Sequence, residues 1–241
     1  MKVDAHDPAG DRRPEVPEAE PKRGWRRALG SPHAWVTTTY FAEGFPYALV
    51  NSVADVLFLG MGAKVQAIGL TALFHLPWNL KFLWAPVLDR YETKRRFLIG
   101  CEALLLALTL VLALLGTASS LAMFALVFVL MAIVAVTHDM AIDGYYMEAL
   151  DQQGQSTFVG YRAAAYRGAV LLASGPLLII EGWLGWRAAW LSAAAVLLAL
   201  LIYHVVWLPR AELPRAPLRT WLAPARRRRL LAVVLGLAVL L

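Results

Sequence analysis

Asp139 and Asp143 stand four residues apart in the stretch THDMAIDGYYMEAL, residues 137–150. On a helix that spacing puts both carboxyls on one face, one turn from each other. The residues before them, from Ser120 to Val136, are almost entirely apolar, so the pair closes a membrane-spanning segment. A charged aspartate at the centre of such a segment costs roughly 2.5–3.5 kcal/mol on insertion scales and therefore faces a cavity or a partner. Burial and a like-charged neighbour are the two influences that let a carboxyl exchange protons near neutral pH. The chemistry that this pair suits is proton coupling. A structural reading stays open beside it: the two aspartates end a helix at the membrane surface, or are braced by Arg162 or Arg167. His138 is next in sequence but about 100° around the helix, which makes it a poor partner for Asp139.

Further ionisable residues interrupt apolar runs. Lys81 follows Pro77 and Asn79 and precedes Asp89 by two helical turns. Proline breaks the hydrogen-bond ladder and opens the backbone there. The Lys81 ammonium either binds a substrate carboxylate or an acidic partner, or snorkels to the surface. Glu43, beside Gly44 and Pro46, is placed to line a cavity, whereas Asp55 falls near the outer helix end in water. Arg162 and Arg167 suit anionic substrate groups, although the placement of Arg162 is equally expected of a cytoplasmic flank. Gly175 and Pro176 permit close packing or a bend. An Asp-x-x-x-Asp face could also hold a magnesium ion bridging a diphosphate in a membrane transferase, but no second aspartate-rich cluster occurs at another helix end. The single cysteine, Cys101, allows neither a disulfide nor a thiolate metal site within one chain. No cofactor, resident metal or catalytic residue is expected, and the enzyme reading ranks below transport.

The elements that must position these residues follow from hydrophobicity. Apolar residues make up 59% of the chain, above the roughly 45–50% of soluble domains. They fall into runs near the ~20 residues that cross a bilayer, without strand-like alternation. The fold class is all-α: a polytopic membrane bundle. Six transmembrane helices are predicted, at about 34–59, 65–88, 97–116, 120–145, 161–180 and 188–208, the last two joined by the turn Glu181 to Arg187. Residues 1–30, rich in Pro and charge, read as a disordered cytoplasmic tail, 31–208 as the bundle, and 209–229 as a basic cytoplasmic loop. The apolar run 230–241 is too short to span and reads as the start of a truncated seventh helix, so a fragment of a longer protein is expected.

The net charge of +6 does not point to nucleic acid, because the basic residues sit at the ends of apolar runs. Arg90, Lys94, Arg95 and Arg96, then Arg162, then Arg210, Arg215 and Arg226 to Arg229 alternate with loops carrying little more than Lys64 and Arg187. The positive-inside rule then places both ends in the cytoplasm.

Three stretches, FAEGFP (41–46), IGLTALFHLPWNLKFLWAPVLDR (68–90) and THDMAIDGYYMEAL (137–150), resemble the major facilitator superfamily, and within it the AmpG-like muropeptide permeases and their acetyl-CoA transporter relatives. GYR at 160–162 and GWR at 185–187 extend the match. Ala85 and Glu92 stand where the wider superfamily carries glycines, a departure that suits the AmpG-like variant. The resemblance implies two six-helix halves around a midplane cavity, each half built from inverted repeats, with this chain as the amino-terminal half and a carboxyl half required. It implies proton-driven import of anhydro-sugar peptides across the inner membrane, hence peptidoglycan recycling, by alternating access. Acetyl-CoA or another organic anion is the alternative solute, and a truncated membrane protein that transports nothing is a further one. On this resemblance Asp139 and Asp143 would couple protons. Glu43, Lys81, Arg162 and Arg167 would line the substrate cavity, and Asp89 with Arg90 would form the gating loop. Lipids and protons complete the expected partners.

Overall fold

The computed structural model describes residues 24–64, 69–115, 120–211, 215–217 and 220. The expected seventh helix at 230–241, most of the expected tail and most of the basic loop lie outside the described residues. The described chain is all-α. Among these residues the one β feature is an isolated bridge between Tyr91 and Ala216.

A short helix α1, Gly24–Leu29, occupies the last part of the stretch read as tail. Helix α2, Pro32–Ala48, starts with proline at its first turn, where a missing N–H costs nothing. Pro46 inside α2 removes a ladder donor, and the following residues Leu49–Val53 widen into a π-helical turn before α3, Ala54–Gly60. The first predicted helix is thus continuous but bulged.

The second predicted helix differs more. It is a chain of short pieces: a 3₁₀ turn Leu70–His75, helix α4 (Leu76–Leu80), a 3₁₀ turn Lys81–Leu83 and helix α5 (Ala85–Arg90). Pro77 and Pro86 each sit in the first turn of a piece. Neither has an N–H to continue the ladder from the piece before it, so one long helix becomes four segments.

Helices α6 (Lys94–Leu114), α7 (Leu121–Ala149), α8 (Gln152–Ser174) and α9 (Pro176–Trp207) follow. Thr93, Ser120 and Asp151 cap the first three by accepting backbone N–H bonds, which satisfies donors that a helix start leaves free. The fifth helix begins earlier than predicted, at Gln152, because Asp151 supplies that cap. The expected turn 181–187 contracts to Gly185 alone, whose φ of 80° interrupts α9; glycine is the residue that tolerates this conformation. Among the described residues, three stretches can cross a membrane by length and composition: Lys94–Leu114, Leu121–Ala149 and Gln152–Trp207, the last containing the breaks at Gly175 and Gly185.

Two pairings organise the bundle: α2 lies along α8, and α6 packs between α7 and α9. The first is close because of glycine. A Cβ at Gly44 would stand 2.6 Å from the Tyr166 carbonyl oxygen, and Ala165, Ala169 and Ala173 face inward from α8 at four-residue spacing. Small residues let membrane helices approach in this way. Two apolar clusters result. One contains Phe45, Leu57, Phe74, Leu112, Phe128 and Trp190, the other Trp35, Leu88, Leu98, Ile142, Tyr145 and Leu208. The ionisable residues that matter below fall where these two cores meet along the helices.

Candidate functional site

At that junction α2 presents Tyr40 and Glu43, three apart and therefore on one face. Helix α7 presents Asp139 and Asp143, the 3₁₀ turn Lys81–Leu83 presents Lys81, and α8 presents Arg162 and Tyr166. Asp139 is buried, and Lys81 Nζ donates to its Oδ2 at 3.2 Å. Asp143 accepts two bonds on Oδ1, from Arg162 Nη2 at 2.8 Å and from the Tyr40 hydroxyl at 2.7 Å. The Arg162 guanidinium also lies over two aromatic rings set nearly perpendicular to each other, 4.3 Å from the Tyr40 ring centroid and 4.5 Å from that of Tyr146. Cation–π attraction of this kind contributes about 0.5–1 kcal/mol at accessible sites. Tyr146 is itself anchored, its hydroxyl donating to the Gln155 carbonyl.

Glu43 completes the group. Its carboxyl faces Asp139, within hydrogen-bonding reach, and Asp143, with Arg162 close by. Its Oε2 is buried and meets no hydrogen-bond partner. The structure therefore gathers three carboxyls and two cations from four helical elements. The magnesium reading needs an unpaired Asp face, and here each aspartate is already engaged by a protein cation.

Two open clefts reach this cluster. One, of ≈ 460 Å³, is lined by Tyr40, Glu43, Arg162, Tyr166 and Arg167. The other, of ≈ 340 Å³, is lined by Lys81, Asp89, Lys94, Met140 and Asp143 among others. The Arg162–Asp143 pair joins them, since Arg162 lines one and Asp143 the other. Among the expected cavity residues, Arg167 stands on the cleft wall.

Asp89 and Arg90 sit at the end of α5, Asp89 on the wall of the second cleft. Asp89 accepts a 2.5 Å bond from Lys94 Nζ, which also donates to the Leu88 carbonyl. The Lys94 stem crosses Gly144, where a Cβ would lie 2.6 Å from its Cε, so glycine in the DGYY stretch leaves room for this buried lysine. Arg90 places its guanidinium 6.0 Å from the Tyr91 ring centroid.

Tyr40, Tyr146 and Tyr166 were not among the residues singled out from sequence. The sequence carries a signal for them: Tyr40 is one turn before Glu43, Tyr146 one turn after Asp143 and Tyr166 one turn after Arg162, so each shares a face with an expected site residue. His138 points elsewhere, as its angular offset from Asp139 requires, and lies 3.6 Å from Glu102.

Comparison with known proteins bears on the chain as a whole. No family model matches the chain. An anhydromuropeptide permease of Escherichia coli strain K12 is 26% identical over 168 residues, covering 67% of this chain and 34% of the permease. An uncharacterized protein of Haemophilus influenzae is 28% identical over 166 residues, again 67% of this chain and 39% of the relative. A Rickettsia conorii protein provisionally named transporter AmpG 4 is 24% identical over 148 residues, 58% of this chain and 36% of the relative. The chain thus spans little more than a third of the length of the curated relatives it matches. Those with functional names are permeases or transporters, which are not enzymes. The relatives of this membrane chain that carry functional names are an anhydromuropeptide permease and AmpG-type transporters, so it is to AmpG-like permeases, the group that its own motifs resemble, that the chain is similar.

Proposed function

We propose that this chain supplies the amino-terminal half of a proton-coupled importer of anhydromuropeptides in the inner membrane, working by alternating access with both ends of the half in the cytoplasm. The observation that carries the reading is the charge count at the junction: Glu43, Asp139 and Asp143 against Lys81 and Arg162. Two acids have cations and one does not. A proton taken up by the odd acid neutralises the set, and such neutrality is what a group crossing between low-dielectric states requires. The solute follows from the relatives. A muropeptide carries peptide carboxylates, and Arg162 and Arg167 on the cleft wall are placed to receive them through charge-assisted hydrogen bonds. In this reading carboxylate binding draws Arg162 from Asp143, and the freed aspartate joins the proton exchange. Asp89 and Lys94 would hold the cytoplasmic gate in one conformer. A carboxyl half closes the cavity.

The test is uptake of labelled anhydromuropeptide into vesicles holding the protein expressed from its complete coding sequence, with an imposed proton gradient. Wild-type uptake that depends on the gradient, and is lost in Asp139→Asn, Asp143→Asn or Glu43→Gln at normal membrane levels, is the expected result. Absent wild-type uptake, with acetyl-CoA or another anion carried instead, overturns the solute. Unchanged uptake in all three variants overturns the coupling role.

A further inference from the structure

A second group of ionisable side chains lies at the same level of the bundle but away from both clefts. Glu102 of α6, His138 of α7 and His204 of α9 are each at most 1% exposed. His204 Nδ1 is 2.6 Å from Glu102 Oε1, its Nε2 is 3.1 Å from the Thr38 hydroxyl of α2, and His138 Nε2 is 3.6 Å from the same Glu102 oxygen. Glu102 Oε2 and both His138 ring nitrogens meet no hydrogen-bond partner. The remaining ionisable neighbours are Cys101 and Arg95 on α6 and Tyr203 on α9.

Stability does not account for this seam. Apolar residues of similar volume at such positions hold helices together as well or better, because buried ions lose hydration that their attraction only partly returns. What a buried polar pair supplies, in the best-attested cases, is register: any other alignment leaves a charge buried alone. The alignment here is tightly drawn. Arg95 Nε donates to the Leu208 carbonyl at 3.1 Å, and its Nη2 to those of His204 at 3.1 Å and Val205 at 2.9 Å. The end of α9 is therefore tied to α6 beside the His204–Glu102 bond.

His138 immediately precedes Asp139, and successive side chains leave a helix about 100° apart. A helix α7 turned so that His138 reaches Glu102 is a helix turned so that Asp139 reaches Lys81. We propose that Glu102, with His204 and His138, is a positioning cluster that sets the rotation of α7 and so aims Asp139 into the cavity. The importance of that aim rests on the transport reading above; the rotation itself does not.

The test reads rotation without transport. In the full chain in lipid nanodiscs, Cys101→Ala, with any cysteine outside these 241 residues also replaced, gives a cysteine-free background. Met140→Cys then reports the cleft side of α7, and Val159→Cys on α8, exposed and remote from the seam, serves as control. Maleimide labelling rates are compared with and without Glu102→Ala. The expected result is a change of about fivefold or more at position 140, as a shifted helix population gives, with position 159 unchanged and Glu102→Gln, which keeps a hydrogen-bonding partner for His204, close to the parent. His138→Leu, which fills the space without the contact, gives the same change and serves if Glu102→Ala does not fold. An unchanged rate at 140 in both variants overturns the proposal, and so does an equal change at both positions, which would mean general loosening. Failure of muropeptide uptake alongside the expected labelling overturns only the transport reading.

Discussion

Two groups of ionisable side chains occupy the same level of this bundle, and they differ in burial among the described residues. Around Asp143 the ion pair is open: the Arg162 and Asp143 side chains are 33% and 40% exposed. Around Glu102 the carboxylate and His204 are 1% and 0% exposed. Screening by water keeps an open pair weak and exchangeable, with a worth of about 0–1 kcal/mol. A dry pair cannot be opened without leaving a buried polar group unsatisfied. The same chemistry is thus suited to release in one place and to fixation in the other, and the difference comes from what covers each pair.

Breaking the dry pair should have the largest effect. Glu102→Ala leaves the buried His204 ring without its partner beside a cavity and is expected to destabilise the fold by about 3 kcal/mol, read as a fall in thermal unfolding temperature and folded yield in detergent. The double change Glu102→Leu with His204→Leu should recover most of that loss; if it does not, packing and not charge holds the seam. Next comes the close approach that brings the open cluster together. Gly44→Ala pushes a Cβ onto the Tyr166 backbone and should cost about 1–3 kcal/mol as an overpacking change, with α2 and α8 moving apart in a distance measurement between spin labels. Tyr40→Phe removes one hydrogen bond to Asp143 and should cost about 1 kcal/mol, read as a smaller fall in unfolding temperature, while the ring that remains keeps Arg162 on Asp143. The smallest stability effect belongs to Asp143→Asn, below about 1 kcal/mol because the pair is wet. Uptake should nevertheless fall with this change. A large loss of stability in Asp143→Asn would erase the contrast between the two groups.

Much of the open cluster was legible in the sequence. Glu43, Lys81, Asp139, Asp143 and Arg162 each interrupt apolar surroundings, and an ionisable residue there needs a partner. Which acid meets which base was not legible, because Lys81 and Asp139 are 58 positions apart in the chain and nothing local relates them. The brace between Asp143 and Arg162, one of the two readings left open, is present in the structure. Tyr40 and Tyr146 escaped notice because tyrosine in a membrane helix needs no special explanation until a guanidinium is found over two rings.

For Glu102 and His204 the reason is different: each stands in a mostly apolar stretch of its helix, and only the packing of α6 against α9 makes them neighbours. The break-up of the second predicted helix was half legible. Pro77 was read as a break, but the number of pieces depended on Pro86 and on the 3₁₀ turn between them. The sequence by itself determined that the chain is helical and apolar enough for a bilayer, since backbone groups without water must bond within their own segment. Tertiary structure alone decided which charges are wet and which are dry. Burial of a side chain depends on the helices that pack over it, and those come from distant parts of the chain.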